Sequence, residues 1–196
     1  MKKQTNNSLR TSIIITFLAT LLIMAGCKEK KESTQSSTVS ETKVKPPKID
    51  IHTAIITGDM GALRQHIAAG SNLNEKDPLG GSSPLISASL FGKTAMAKAL
   101  IDAGADLNFQ NNDGSTALHT AAFFCRPEIV QLLLDKGADK TIKNKYGSTA
   151  YESVAGPFAA IKSSYEGLGK MLEPMGLKLD YSYLEKTRPE IAAMLK

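Results

Sequence analysis

The apolar positions of this chain fall into three regimes. Residues 13–25 form an apolar run interrupted only by Thr16 and Thr20, residues 28–48 are almost without apolar side chains, and from Ile49 onward short apolar clusters return at a fixed distance. Ser83-Pro84-Leu85-Ile86, Thr116-Ala117-Leu118-His119 and Thr149-Ala150-Tyr151-Glu152 lie 33 residues apart, and Gly70, Gly104 and Gly137 recur after 34 and 33. A fixed period of this length predicts a stack of supersecondary units, because one such unit cannot bury its apolar face alone. A stack presents an extended concave surface in place of a single pocket, so the expected role is binding.

Each period predicts a pair of helices. Thr116 stands where its hydroxyl can cap a following helix, small Ala121 and Ala122 let two helices approach closely, and the run Ile129 to Leu134 ends at Gly137, where left-handed backbone costs least. Pro84 sits at a helix start, where it loses no hydrogen bond. These residues, Asp113-Gly114-Ser115-Thr116-Ala117-Leu118-His119 through Ala121-Ala122 to Leu132-Leu133 and Gly137-Ala138-Asp139, closely resemble the ankyrin repeat. The resemblance implies an all-α ankyrin repeat solenoid of about four helix-pair repeats with β-hairpin fingers. The repeats run 49–79 (an N-terminal capping repeat with no finger before it), 80–112, 113–145 and 146–196.

The last repeat departs from the period at Gly156-Pro157. Its second helix reappears as Arg188-Pro189-Glu190-Ile191, which echoes Arg126-Pro127-Glu128-Ile129 at a distance of 62 residues, so one 33-residue period leaves an insertion of 29. That places the insertion at 157–185. Its apolar residues Phe158, Ile161, Tyr165, Leu168, Met171 and Leu172 suit a helix with one buried stripe, weakened by Gly167 and Gly169. Ile191, Met194 and Leu195 have the spacing of an apolar face that covers Leu132 and Leu133.

The first regime has another meaning. Lys2, Lys3 and Arg10 precede the apolar run in the layout of a secretory signal, and the run is short for a membrane span. Met24-Ala25-Gly26-Cys27 then resembles the lipobox of bacterial lipoproteins, with methionine in place of the usual leucine. The resemblance implies a signal peptide over 1–26 and an acylated Cys27; an ordinary signal or an uncleaved anchor helix are the alternatives. Residues 27–48, the lipidated cysteine and a segment rich in Lys, Glu, Ser and Thr, would form a tether reaching some ~25 Å. Lys28 after the cysteine implies an outer membrane lipoprotein facing the periplasm if the source is Gram-negative.

Charge adds little once partitioned. The net +5 reflects three basic residues in the signal and six Lys against three Glu in the tether, leaving 15 basic against 16 acidic residues from Ile49 onward. Nucleic-acid binding is not expected of that domain. The tether lysines would favour anionic headgroups weakly.

Candidate chemistry is sparse. With Cys27 taken by the lipobox, Cys125 has no partner for a disulfide; it occupies the turn where Gly58 and Gly92 stand in earlier repeats, and reads as a turn residue or, alternatively, a redox thiol. His119 falls where the family's histidine bonds between repeats, His52 takes the equivalent place in the first repeat, and His66 stands alone. No metal-ligand spacing, nucleophile elbow or phosphate loop occurs, so no cofactor, metal or catalytic residue is expected.

The resemblance places the partner-binding face on the finger tips and the exposed side of the first helices. That carries over to Ile56, Leu90, Phe91, Phe123 and Phe124 on helices and to Leu79, Gln110, Asn112, Asp113, Lys143, Lys145 and Tyr146 on fingers. Three of six phenylalanines stand in the helical row, either as an open interaction patch or as core beneath the insertion. The expected function is a membrane-tethered, monomeric protein-interaction module of the bacterial envelope, an adaptor or an inhibitor or immunity factor. A structural anchor holding a partner at the outer membrane and an enzyme with a site in the insertion are the alternatives.

Overall fold

A computed structural model describes residues 44–196, so the signal segment and most of the tether lie outside it. Three helix pairs follow one another: α1 (Ile51–Thr57) with α2 (Met60–Ala68), α3 (Pro84–Leu90) with α4 (Thr94–Asp102), and α5 (Ala117–Phe123) with α6 (Pro127–Asp135). Each pair joins a helix of 7 residues to one of 9, so the sequence period is a structural one.

Local chemistry sets these boundaries. Asp50, Asp59 and Ser83 cap α1, α2 and α3 by accepting from Thr53 N, Ala62 N and Ile86 N, which satisfies amides that a helix start leaves without partners. Thr116 and His119 form a reciprocal capping box at α5. Between the helices of each pair the chain turns through left-handed backbone, at Gly58 (φ 78), Gly92 (φ 63) and Cys125 (φ 50). A side chain there is strained, and glycine is the usual solution.

The first helices stack on one another and the second helices do likewise, with one continuous core between the two rows. Ile55, Leu63, Leu85, Leu100, Leu118, Ile129 and Leu133 are fully buried in it, and Ala54, Ala88, Ala121 and Ala122 bring the helices close. Each leucine or isoleucine so buried contributes ~1.5–3 kcal/mol. Loops repeat the register: Asn74 Oδ1 accepts from Asp106 N and Asn108 Oδ1 accepts from Asp139 N, both at 2.9 Å.

The fourth repeat opens with a short helix, α7 (Glu152–Ala155), and then leaves the array. Helix α8 (Phe158–Leu172), a 3-10 turn (Glu173–Met175) and a loop lead to α9 (Tyr181–Leu195), which takes the second-helix place beside α6. The Arg126 echo thus falls inside α9: its helix starts seven residues earlier than the echo, at a cap where Asp180 accepts from Tyr183 N. The excursion proper is 157–180, and Leu184, Thr187 and Arg188 are buried on the added turns. Ile191 and Leu195 close the core as their spacing predicts, with Met194 half-buried.

The end of the expected tether is not free. Gln65 Nε2 donates to Lys45 O and the His66 ring bonds Ile49 O, both at 2.9 Å, so residues 45–49 lie against α2.

Candidate functional site

Three fingers project between the pairs, at 77–82, 111–115 and 144–148. Expected as β-hairpins, they are turns: among the described residues no strand occurs, and each finger is closed by only two backbone bonds of its own. An Asx side chain at the first position holds each. Asp77 accepts from Leu79 N, Gly80 N and Ser82 N, Asn111 from Asp113 N and Ser115 N, and Asn144 from Tyr146 N and Ser148 N, at 2.6–3.1 Å. Burial pushes the Asp77 carboxyl up, but its hydrogen bonds outweigh burial and hold it below the usual carboxylate range.

The fingers are also bonded to one another. Asn112 N donates to Gly80 O at 3.0 Å and Lys145 N to Asp113 O at 2.8 Å, while Gln110 Nε2 reaches Gly114 O at 2.8 Å and Lys143 O at 3.4 Å. The result is a braced ridge. Its ends are the most exposed large apolar side chains described, Leu79 (84%) and Tyr146 (76%), and Asn112, Asp113 and Lys145 stand exposed between them. The finger residues of the sequence reading are therefore brought together, Gln110 as a brace as well as a surface group.

The first-helix row is a different matter. Phe124 is 6% exposed, and Leu90, Phe91 and Phe123 are half-buried, so the open apolar patch does not exist in this conformation. The excursion covers it. Tyr165 of α8 lies against Phe123, ring centres 4.5 Å apart, and donates its hydroxyl to Phe123 O at 2.5 Å. Leu172 and Leu177 bury Phe124. Ile56, further toward the first repeat, is half-buried.

A polar network that the sequence did not reveal secures this cover. Arg188 of α9 is 3% exposed and donates to Tyr165 Oη at 2.9 Å, Gly156 O at 3.2 Å and Ser153 O at 3.4 Å, filling the C-terminal end of α7. A cation at a helix C-terminus is favourable. Burial pushes the Tyr165 hydroxyl up to about 12, so it remains a donor. The only forewarning was the match of Arg188 to Arg126, which donates to Leu90 O of the preceding repeat at 3.3 Å.

The histidines are used by the backbone. His119 bonds Ser148 O at 3.0 Å across repeats, His52 bonds Glu75 O at 3.1 Å, and His66 bonds Ile49 O. Cys125 is fully buried, and burial pushes its thiol up to about 11, which leaves a turn residue with no thiolate at neutral pH. No group of three or more His, Cys, Asp or Glu converges among the described residues.

Comparison with known proteins agrees with this geometry. Residues 51–144 match the family model for ankyrin repeats in three copies. Over 58 residues the chain is 40% identical to inversin of Mus musculus and to inversin of Homo sapiens; the stretch is 30% of this chain and 6% and 5% of those proteins. The chain therefore spans only a small fraction of the curated relatives it matches. Among solved structures it is similar to the ankyrin repeat domain of Bcl-3, described as a unique member of the IkappaB family, with TM-score 0.51 and 30% identity over 53% of this chain and 45% of that one. Proteins built of such repeats are typically non-enzymatic interaction scaffolds. Period, paired helices and these likenesses together make residues 51–144 an array of ankyrin repeats, a fold that implies a module for protein–protein interaction.

Proposed function

We propose that this chain is a membrane-tethered interaction module of a bacterial envelope, anchored through an acylated Cys27 and binding one protein partner along the finger ridge. The observation that carries the binding half is the ridge itself: three fingers braced by hydrogen bonds, with Leu79 and Tyr146 exposed at its ends. A pre-ordered surface loses little entropy on binding, and aromatic anchors such as Tyr146 are favoured at interfaces. With the helical row covered, Leu90, Phe91, Phe123 and Phe124 are supports of the cover, and Leu79, Gln110, Asn112, Asp113, Lys143, Lys145 and Tyr146 form the contact surface, with half-buried Ile56 outside both.

The tethering half rests on the sequence alone, the charged start, the apolar run and Met24-Ala25-Gly26-Cys27. The eukaryotic relatives share repeat sequences over 58 residues and bear on the fold, not the compartment. If the source is Gram-negative, Lys28 after the lipobox cysteine makes it an outer-membrane protein facing the periplasm; we take it as monomeric and as an adaptor, inhibitor or immunity factor, and a pure anchor would differ by stable co-purification without any effect on its partner's activity. An enzyme with a site in the excursion finds no support, since the buried Tyr165 and Arg188 are consumed by backbone carbonyls.

The test is metabolic labelling with palmitate in the native host. Wild type should be labelled and sediment with membranes, and Cys27→Ser should be unlabelled precursor. An unmodified N-terminus elsewhere, found by mass spectrometry of the mature protein, contradicts the tether.

A further inference from the structure

The side of α7 and α9 turned away from α5 and α6 has nothing packed on it among the described residues. In the second and third repeats Leu85 and Leu118 are fully buried, and each of their helices has the next first helix packed against it. One period on, the same place holds Tyr151, half-buried at the end of the stack. An outer repeat face is expected to be polar, yet Ala155, Pro157, Pro189 and Ala193 stand exposed here, while Ile191 and Leu195 of α9 point into the core.

Two cavities open on this side. One of about 500 Å³ lies among Lys140, Thr141, Lys143, Thr149 and Lys196. The other, about 400 Å³, lies between α7, the start of α8 and α9, among Val154, Pro157, Phe158, Pro189 and Ala192. They share Tyr151 and Lys196, and so form one groove with a basic half and an apolar half.

Its charge is unmatched in both halves. Residues 140–151 carry Lys140, Lys143 and Lys145 and no acid. Glu152 stands 4.0 Å from Lys143 and gives its other oxygen to Thr149 N at 2.7 Å; Lys140 Nζ reaches Lys196 O at 2.9 Å. In the apolar half Glu185 is the carboxylate at the wall, and Arg188, 3% exposed, lines the groove with its Nε bonded to nothing and no ion-pair partner among the described residues. A buried guanidinium without a counter-charge leaves part of its desolvation cost unmet, which an anion entering the groove would offset.

We propose that this groove docks an acidic segment of a protein partner, with an apolar side chain seated on Val154, Phe158 and Ala192 and carboxylates over Lys140, Lys143 and Lys196. Charge complementarity sets the acid, and the apolar half sets a peptide as the occupant in place of a free anion. The groove lies at the end of the array, apart from the first-helix row. It shares Lys143 with the finger ridge but does not depend on that reading.

Fluorescence anisotropy of the full chain with a labelled peptide of leucines followed by glutamates tests this, beside two controls in which glutamine replaces glutamate or glycine replaces leucine. The acidic apolar peptide should bind most tightly, and its affinity should fall as salt is raised to ~0.5 M. Lys140→Glu should weaken it about tenfold, for one exposed ion pair lost and one repulsion gained. Ala193→Glu, which puts a carboxylate into the apolar half, should weaken it as well. Both positions are exposed, so both variants should melt with wild type. Arg64→Glu, the same charge change in the first repeat, should bind as wild type does. Equal binding of the glutamine peptide, or equal loss from Arg64→Glu, would overturn the inference. Binding abolished by Tyr146→Ala but not by Lys140→Glu would also overturn it, by placing the peptide on the ridge.

Discussion

Arg188 offers the sharpest test of how the last repeat is assembled. It sits 97% buried with no ion-pair partner among the described residues, and its charge is met by Ser153 O, Gly156 O and Tyr165 Oη. Hydrogen bonds from a charged donor contribute ~1.5–3 kcal/mol each, and burying the guanidinium costs several kcal/mol against them. Gly156 is exposed, so water can take its carbonyl after substitution; Ser153 O and the Tyr165 hydroxyl are less accessible. Removing the guanidinium while keeping a similar volume, in Arg188→Met, should therefore cost ~3 kcal/mol. Arg188→Lys should lose nearly as much, since one ammonium cannot span three acceptors fixed by a planar fork. At ~2–4 °C per kcal/mol for a domain of this size, the melting temperature should fall by ~6–12 °C. The assay is thermal and urea unfolding followed by circular dichroism. Arg188→Met melting within ~2 °C of wild type would show that the network is incidental and that apolar packing alone holds α7, α8 and α9 together.

Two further outcomes follow from the buried groups. In a Cys27→Ser background at pH 8, Cys125 should resist a thiol reagent until the chain unfolds, because burial pushes the thiol up to about 11; rapid labelling of the folded protein would contradict the burial. Cys125→Gly should change stability by no more than ~1 kcal/mol, relief of the left-handed strain at φ 50 offsetting lost sulfur packing and added chain entropy. For His119, burial disfavours the imidazolium more than the Ser148 carbonyl favours it, so the folded chain binds this proton less readily than the unfolded one. Stability should be level above the unfolded histidine value of ~6.5 and decline as pH falls below it. Protonation also takes the Nδ1 acceptor from the Thr116 capping box. His119→Gln should flatten that decline, and an unaltered profile would remove His119 as its source.

The array was legible because its chemistry repeats. Cap at Thr116, small pair at Ala121-Ala122 and stop at Gly137 are local signals, each with a partner one period away, and they place α3 to α6 directly. The excursion was legible as a helix but not in its contacts. Phe91, Phe123 and Phe124 occupy positions that an uncovered ankyrin array exposes, and no periodicity says whether α8 folds back over them or away. What decides it is a long-range bond, Tyr165 to Phe123 O, 42 residues apart, which leaves no trace in spacing. The start of α9 was missed for a related reason: Pro189 echoes the helix-starting Pro127, yet here it lies inside a helix that Asp180 begins. Fingers were expected as hairpins from the family, whereas the Asx bonds that shape them are legible only once Asp77, Asn111 and Asn144 are aligned at the same register.

The central claim is that a protein partner meets the finger ridge. A photo-crosslinking residue placed singly at Leu79, Asn112 or Tyr146, and as a control at exposed Arg64 on α2, reads this in intact cells of the native host. One protein should be captured from all three ridge positions and not from Arg64. Tyr146→Ala should weaken that capture from Leu79 and Asn112, as loss of an aromatic anchor costing at least ~2 kcal/mol, about thirtyfold in affinity, requires. Capture from Arg64 with none from the ridge, or capture from the ridge that Tyr146→Ala leaves unchanged, would contradict the account.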